Sequence, residues 1–264
     1  MAVSFAWGGI NGTSGRTSAA VMSRSLRVQF GFYKQSSTAD GQTALVVGRL
    51  QKRYSSTGTW SDTGQTSSTA ATLFDFRINP YSSSSTMHDV SVYYRLVVPT
   101  GGVIGRGSVS PQIRVDYQNP SLYTGWKRSL YLDMRQFCPD AAIRGLSSLP
   151  VAWAAAVTPR GLYEIDVLSS DRVTMTASNQ KAMMLHECGH HLQWQNYGAS
   201  GTGWNLMSQQ ATKIFGTNHS QPIEHMADCV SHAAYSAGYL GYGGVCTTTQ
   251  LSYAARILAG KELY

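Results

Sequence analysis

Residues 184–191 read Met184-Leu185-His186-Glu187-Cys188-Gly189-His190-His191 and contain the pattern His-Glu-x-x-His. On a helix, His186 and His190 lie one turn apart on the same face, so both imidazoles can bind one metal ion. Glu187 lies beside them, where its carboxylate can take a proton from a water at the metal. This spacing predicts a zinc hydrolase and, within that class, favours a peptidase. The alternative is a chance match, because two histidines one turn apart also occur at helix edges without a metal.

The surrounding sequence predicts the helix that this pattern needs. Ser178 or Asn179 can serve as its N-cap, and residues 181–185 have high helix propensity. Gly198 suits the C-terminal end of the helix. Gly189, inside the helix, costs about 1 kcal/mol relative to alanine. A glycine there indicates that another element approaches closely behind the site, with a tolerated defect as the alternative.

A second predicted helix offers a third ligand. Pro222 suits its first turn, and Glu224 and Asp228 are four residues apart on one face. A Glu224 carboxylate completes a three-ligand zinc site that leaves the fourth position for water. Asp228 can accept the other ring N–H of a ligand histidine. The alternative is a pair of ordinary solvated carboxylates, but the chain has only 14 Asp and Glu and this helix is otherwise apolar.

These two segments resemble a known family. The patterns His186-Glu187-x-Gly189-His190-His191-x-Gln193 and Glu224-x-x-Ala227-Asp228-Cys229 are similar to those of the bacterial neutral zinc metallopeptidases and, more broadly, the gluzincins. The resemblance implies one zinc ion per chain bound by His186, His190 and Glu224. It also implies Glu187 as general base and Asp228 as the partner of a ligand histidine. It covers roughly the last third of the chain, and the third histidine of the metzincin pattern is missing.

A group that stabilises the oxyanion of the transition state is harder to place. His232 lies four residues beyond Asp228 and is the candidate we select as a second catalytic residue. A structural histidine is the alternative. The other candidates are Tyr235, His225, Tyr197 and His219. His191 points away from the face that carries His186 and His190, and we expect it to be structural.

Four cysteines lie in the chain, Cys138, Cys188, Cys229 and Cys246. An even count permits two disulfides in three connectivities. A Cys229–Cys246 pair would tie the second site helix to the segment before the last helix, and a Cys138–Cys188 pair would tie the metal helix to the start of its domain. Free buried thiols and thiolate ligands of zinc are the alternatives, and we favour disulfides. We therefore expect a secreted or virion-associated protein, although no signal peptide is visible at the N-terminus.

The first part of the chain has the period of two that is typical of strands. Apolar residues alternate with other residues from Leu26 to Phe32, from Phe74 to Ile78 and from Val92 to Val98, and Ser, Thr and Gly fill the turns between. The residues around Leu50–Arg53, Gly58–Trp60 and Tyr94–Pro99 resemble immunoglobulin-like domains of secreted actinobacterial proteins. The expected architecture is an all-β immunoglobulin-like sandwich over residues 1–118. A mainly α-helical, zincin-like (α+β) domain is expected to follow over residues 119–264.

The charge composition of the chain limits the classes of partner that it can bind. The net charge is +7, and charged residues make up 13% of the chain against an average of about 25%. Arginine and lysine are scattered, with the densest group at Arg49, Lys52 and Arg53, so we expect no specific nucleic acid partner. A protein or peptide substrate and an anionic cell envelope are the expected partners. No apolar run is long enough for a transmembrane helix.

The sequence is compatible with two other function classes. One is a structural or binding protein, such as an adhesin or a virion component, in which the zinc site is not catalytic. The other is a metal hydrolase that acts on cell-envelope polymers rather than on proteins. A closed site with four protein ligands would favour the first class. Turnover of cell-wall fragments but not of casein would favour the second.

Overall fold

The computed structural model describes residues 1–10, 17–21, 26–36, 38–78, 89–101, 104–148, 155–156, 164–168, 175–198, 201–216, 221–236 and 244–264. The chain divides into two compact units, Met1–Asn119 and Pro120–Tyr264. This division lies one residue after the junction expected from the sequence.

Strands dominate the first unit. They are β1 (Ala2–Ile10), β2 (Thr17–Val21), β3 (Leu26–Gln35), β4 (Val46–Arg53), β5 (Ser61–Thr69), β6 (Leu73–Ile78), β7 (Val90–Val98), β8 (Ser108–Val109) and β9 (Ile113–Gln118), with a short helix α1 (Ala39–Thr43) after β3. One sheet has the strand order β1-β3-β6, and the other has the order β2-β9-β7-β4-β5, with β8 paired to β7. The pair β2–β9 is parallel, whereas the other pairs in these two sheets are antiparallel.

The core of this unit follows from the alternation in the sequence. Leu26, Val28, Phe30 and Phe32 on β3 are all buried. The ring of Phe32 stacks on that of Phe74 with centroids 5.0 Å apart. Burying such side chains contributes about 1.5–3 kcal/mol each, so the period of two fixes which face of each strand points inward.

Helices and a small sheet form the second unit. The helices are α2 (Gly125–Met134), α3 (Ala177–Tyr197), α4 (Gly201–Phe215), α5 (Pro222–Ala234) and α6 (Thr248–Leu258). The strands are β10 (Ala142–Leu146), β11 (Ala155–Ala156) and β12 (Glu164–Leu168). Strand β12 pairs in parallel with β10 and antiparallel with β11. Helix α3 packs against α2, α4, α5 and α6 and so lies at the centre of the unit.

The expected fold class is wrong. The chain is a mixed α+β fold with similar shares of strand and helix, and nothing supports a separate all-β immunoglobulin-like domain followed by a mainly helical one. The first unit includes α1 and the parallel pair β2–β9, and the second includes the sheet of β10, β11 and β12. Alternation reveals that one face of a strand is buried, but strand order depends on contacts between residues far apart in sequence. Strand β12 is buried from Glu164 to Val167 and therefore shows no alternation.

The predicted end of α3 is confirmed, because Gly198 is its C-cap and has a φ of 77°. Helix α6 begins with a capping box, in which the side chain of Thr247 accepts a hydrogen bond from the Gln250 backbone and the Gln250 side chain accepts one from the Thr247 backbone. The N-cap of α3 is Thr176 and not Ser178 or Asn179, which both lie inside the helix. In the described part of the chain, no helix is both long and apolar enough to cross a membrane.

Candidate metal centre

Helix α3 carries the His-Glu-x-x-His residues through the middle of the second unit. The Thr176 hydroxyl accepts a hydrogen bond from the Asn179 backbone N–H at 3.2 Å and so caps the first turn. Every residue from Met184 to Trp194 is buried. A helix enclosed in this way holds polar groups only where they have partners, so its buried histidines require a chemical explanation.

Helix α5 crosses α3 at a glycine. A Cβ atom placed on Gly189 would lie 3.3 Å from the Cα atom of Ala227 and 3.3 Å from the Cβ atom of Val230. The glycine therefore allows the two helices to approach each other more closely than a larger residue would, as the sequence predicted. This approach brings the first turn of α5, which carries Glu224, next to the histidines of α3.

Three side-chain atoms converge between these helices. The Nε2 atoms of His186 and His190 are 3.1 Å apart. The Oε2 atom of Glu224 lies 3.3 Å from Nε2 of His186 and 3.0 Å from Nε2 of His190. The three residues form a group that could hold a metal ion. They are the residues that the sequence predicts as ligands.

The partners of the second ring nitrogens fix the tautomers. Nδ1 of His186 donates to the Asp228 carboxylate at 2.8 Å, and Nδ1 of His190 donates to the amide oxygen of Gln193 at 2.9 Å. Because each Nδ1 carries a hydrogen, each neutral ring presents the lone pair of Nε2 to the centre. Two lone pairs and a carboxylate oxygen therefore face one another, which is unfavourable unless a cation or a proton lies among them.

The spacing of these atoms fits a transition metal ion. A tetrahedral zinc ion with bonds of about 2.0–2.1 Å holds its ligand atoms roughly 3.3 Å apart. The observed separations of 3.0–3.3 Å are close to this value. Two imidazoles and one carboxylate are also a donor set typical of zinc rather than of magnesium or calcium, which bind oxygen ligands. The residues present therefore fit the predicted metal.

The electrostatics of these side chains point in the same direction. Burial alone would lower the pKa of His186, but its hydrogen bonds to Asp228 and Glu224 raise that pKa to about 10. Burial would raise the pKa of Glu224, yet its hydrogen bonds to His186 and His190 hold that pKa well below its usual range. The positive charge of protonated His186 thus offsets the negative charges of the carboxylates, and a bound metal ion would take the place of that proton.

This balance predicts how the stability of the metal-free protein depends on pH. The folded-state pKa of His186 is about 10, above the unfolded value of about 6.5. The native state therefore holds a proton that the unfolded state has lost, and the free energy of unfolding should fall as the pH rises from 6.5 towards 10. The slope for one proton is at most about 1.4 kcal/mol per pH unit.

Urea denaturation of the chelated protein at pH 7 and at pH 9.5 measures this change. The His186→Gln variant, which cannot be protonated, should show a smaller fall over the same range. Metal affinity should rise with pH over this range, because binding displaces the proton. Equal pH dependence in the wild type and the variant would contradict the assignment of the proton to His186.

The remaining predicted site residues lie in different surroundings. Glu187 is buried, and its charge contributes to raising the pKa of His186, which places its carboxylate near the ligands. His232 is half-buried in the last turn of α5, and no hydrogen bond between described residues joins it to the three ligand atoms. Its catalytic role stays a prediction. His191 is fully buried and its Nε2 lies 3.2 Å from Asp140, outside the ligand group. His219 lies outside the described residues.

The sequence reasoning missed the role of Gln193. This side chain is fully buried, and its amide N–H₂ donates to the carbonyl of Ile223, the residue before Glu224, at 3.4 Å. Gln193 thus links the ring of His190 to the start of α5. The signal was available, since residues three apart on a helix are neighbours and Gln193 follows His190 at that spacing.

Both disulfides join the site helices to their surroundings. Cys138 pairs with Cys188 on α3, and Cys229 on α5 pairs with Cys246. The preference for disulfides over free thiols is confirmed. His225, Cys229 and Cys246 form a second group of potential ligands, but the disulfide between the two sulfurs leaves no thiolate there.

Comparisons with protein-family models, with curated proteins and with solved structures gave no match. The resemblance to the zinc metallopeptidases therefore stays a prediction that rests on the residues of α3 and α5.

Proposed function

We propose that the protein is a zinc metallopeptidase that hydrolyses peptide bonds. The observation that carries the proposal is the convergence of the Nε2 atoms of His186 and His190 on the Glu224 carboxylate, within 3.0–3.3 Å of one another. The buried carboxylate of Glu187 lies on the same helix, next to the first ligand. A metal site beside a carboxylate base is one arrangement that can catalyse the hydrolysis of an amide.

Access to the site supports a catalytic rather than a structural metal. Structural zinc sites are closed by four protein ligands, whereas catalytic sites have three and keep one position open. Within the described residues the group comprises three ligands. The Glu224 side chain is 33% exposed, against 11% for each histidine. The open side of the group thus lies next to Glu224, where a substrate carbonyl can enter.

Each residue has a defined task in this proposal. When bound, zinc supplies a Lewis acid that polarises the scissile carbonyl and lowers the pKa of water to about 7. Glu187 takes the proton of the attacking water and passes it to the nitrogen of the leaving amine. Asp228 holds the ring of His186 with its Nε2 lone pair towards the centre, and Gln193 does the same for His190. His232 is a candidate for stabilising the oxyanion.

The two disulfides support a protein that folds and acts in an oxidising compartment. We therefore propose that it is secreted and that its substrate is an extracellular protein or peptide. A hydrolase of cell-envelope polymers would use the same site, and the choice of substrates in the test below separates the two.

Metal content and turnover test the proposal together. Elemental analysis should find about one zinc ion per chain, and hydrolysis of casein should stop when a chelator removes it and resume when zinc is restored. Absence of zinc after reconstitution would contradict the metal site. Zinc without turnover of casein or of cell-wall fragments would contradict catalysis. Turnover of cell-wall fragments alone would move the substrate class to envelope polymers.

A further inference from the structure

One face of the larger sheet in the first unit carries a cluster of arginines and aromatic rings. Cross-strand pairing aligns Arg53 on β4 with Tyr93 on β7, and Tyr93 with Arg114 on β9. Arg95 lies two residues after Tyr93 on β7, and Arg49 lies four residues before Arg53 on β4. Because residues at even spacing on a strand point to the same side, these four arginines and Tyr93 lie on one face of the sheet. The opposite face is buried. We call this surface, made of Arg49, Arg53, Arg95 and Arg114 with Trp60 and Tyr93, the arginine face.

Aromatic rings hold the guanidinium groups in place. The Cζ atom of Arg53 lies 4.4 Å from the ring centroid of Trp60, and that of Arg95 lies 4.3 Å from the same centroid. The guanidiniums of Arg53 and Arg114 lie 5.6 Å and 6.0 Å from the ring of Tyr93. Stacking of this kind contributes about 0.5–1 kcal/mol at exposed sites. It therefore orders the side chains before any partner binds.

The charge of the two central arginines is not neutralised within the sheet. Arg53 donates to the carbonyl of Gly58 and to the side-chain oxygen of Gln112, and Arg95 donates to the side-chain oxygen of Gln51. All three acceptors are neutral. In the described part of the chain, Arg114 forms an ion pair with Asp116, but no such pair is found for Arg53 or Arg95.

Repulsion between the two charges is visible in the surroundings of Arg95. Burial lowers the pKa of its guanidinium, and the nearby charge of Arg53 lowers it further. Among the residues that the structure describes, the buried Nε–H of Arg53 also has no hydrogen-bond partner. An arrangement that costs free energy in the isolated protein would be stabilised by an anion placed over the pair.

We propose that the arginine face binds an acidic glycan, a polysaccharide that carries carboxylate or sulfate groups. The planar fork of a guanidinium pairs with both oxygens of such a group. Residues two apart on a strand are roughly 6.6 Å apart and neighbouring strands about 4.8 Å. A polymer with repeating charges can therefore contact several of these arginines at once.

Two observations favour a glycan over nucleic acid. The disulfides point to an oxidising compartment such as the extracellular space, where polysaccharides that carry carboxylate or sulfate groups occur. The Trp60 ring is already stacked with guanidiniums, whereas proteins that bind single-stranded nucleic acid use their rings to stack with bases. The face is also independent of the metal centre, so this proposal does not rest on the proposed function.

Binding to a heparin oligosaccharide, measured by titration calorimetry at near-physiological ionic strength, tests the proposal. The Arg53→Gln/Arg95→Gln variant should bind at least about tenfold more weakly than the wild type, equivalent to about 1.4 kcal/mol. The matched control is Arg128→Gln/Arg135→Gln, which removes the same charge from exposed positions in the second unit. The control should bind within about twofold of the wild type.

A second variant distinguishes the contribution of the planar guanidinium group from that of its charge. Arg53→Lys/Arg95→Lys keeps the charge and loses the fork, so its affinity should fall between those of the wild type and the glutamine variant. Thermal melting shows which variants fold. Equal losses in the test and control variants would overturn the proposal, because binding would then reflect net charge alone. Tighter binding of a single-stranded oligonucleotide than of heparin would also overturn it. Metal content and turnover should be unchanged in all these variants.

Discussion

Replacing Glu187 by glutamine should leave the metal content unchanged and lower the turnover of casein by about a hundredfold to ten-thousandfold, the usual contribution of a general base. Glutamine has nearly the same shape as glutamate, so the packing of α3 should be preserved. It cannot accept a proton, so water is no longer activated by this side chain. The ligand atoms of His186, His190 and Glu224 belong to other residues and remain at 3.0–3.3 Å from one another.

The matched control is Glu262→Gln, which makes the same chemical change near the C-terminus and should retain full activity. Elemental analysis and initial rates on both variants separate metal binding from catalysis. Turnover of Glu187→Gln at the wild-type rate would refute the role of Glu187 as general base while leaving the metal site intact. Loss of zinc in this variant would show instead that Glu187 contributes to the binding of the metal.

Removing the Cys138–Cys188 disulfide should destabilise the second unit by about 4 kcal/mol. The bond closes a loop with a sequence separation of 50 residues, whereas Cys229–Cys246 closes one of 17. Chain entropy predicts about 4 kcal/mol for the longer loop and about 3 kcal/mol for the shorter. Because Cys188 lies between Glu187 and Gly189 on α3, the metal centre should be lost in the same transition.

Urea denaturation of Cys138→Ala/Cys188→Ala and of Cys229→Ala/Cys246→Ala measures both losses. Retained zinc, followed along the same denaturation, reports on the centre. We expect the first variant to unfold at a lower urea concentration than the second, and both to unfold earlier than the wild type. A loss below about 1 kcal/mol in the first variant would show that the loop is already restricted in the unfolded chain.

The candidate site was more accessible to prediction than the fold. The spacing of His186 and His190 and that of Glu224 and Asp228 follow from one helical turn, which is a local property. The structure accordingly brings the three predicted ligand residues together, and the Asp228 carboxylate accepts a hydrogen bond from Nδ1 of His186. Gln193 escaped notice because a neutral amide gives no charge or ligand signal of its own, although it lies at the correct helical spacing.

The fold depended on contacts that no local pattern records. The strand of Leu26–Gln35 was visible because apolar side chains alternate, but its neighbours β1 and β6 are set by packing between distant segments. The prediction of an immunoglobulin-like fold was wrong because the order of the strands depends on these distant contacts. The N-cap at Thr176 was missed because its neighbour Ser178 has a side chain of the same capping type, and only the backbone geometry decides between them.

The glycine at the crossing of α3 and α5 has a consequence for how this chain can evolve. Two of the proposed ligands belong to α3 and the third to α5. The distance between the two helices at Gly189 therefore also sets the distance between the histidine ligands and the carboxylate ligand. Metal bonds tolerate errors of only about 0.2 Å. A methyl group at residue 189 would move α5 by a similar amount. Preference among metal ions of different radius can therefore change through a residue that never touches the ion, with every ligand retained.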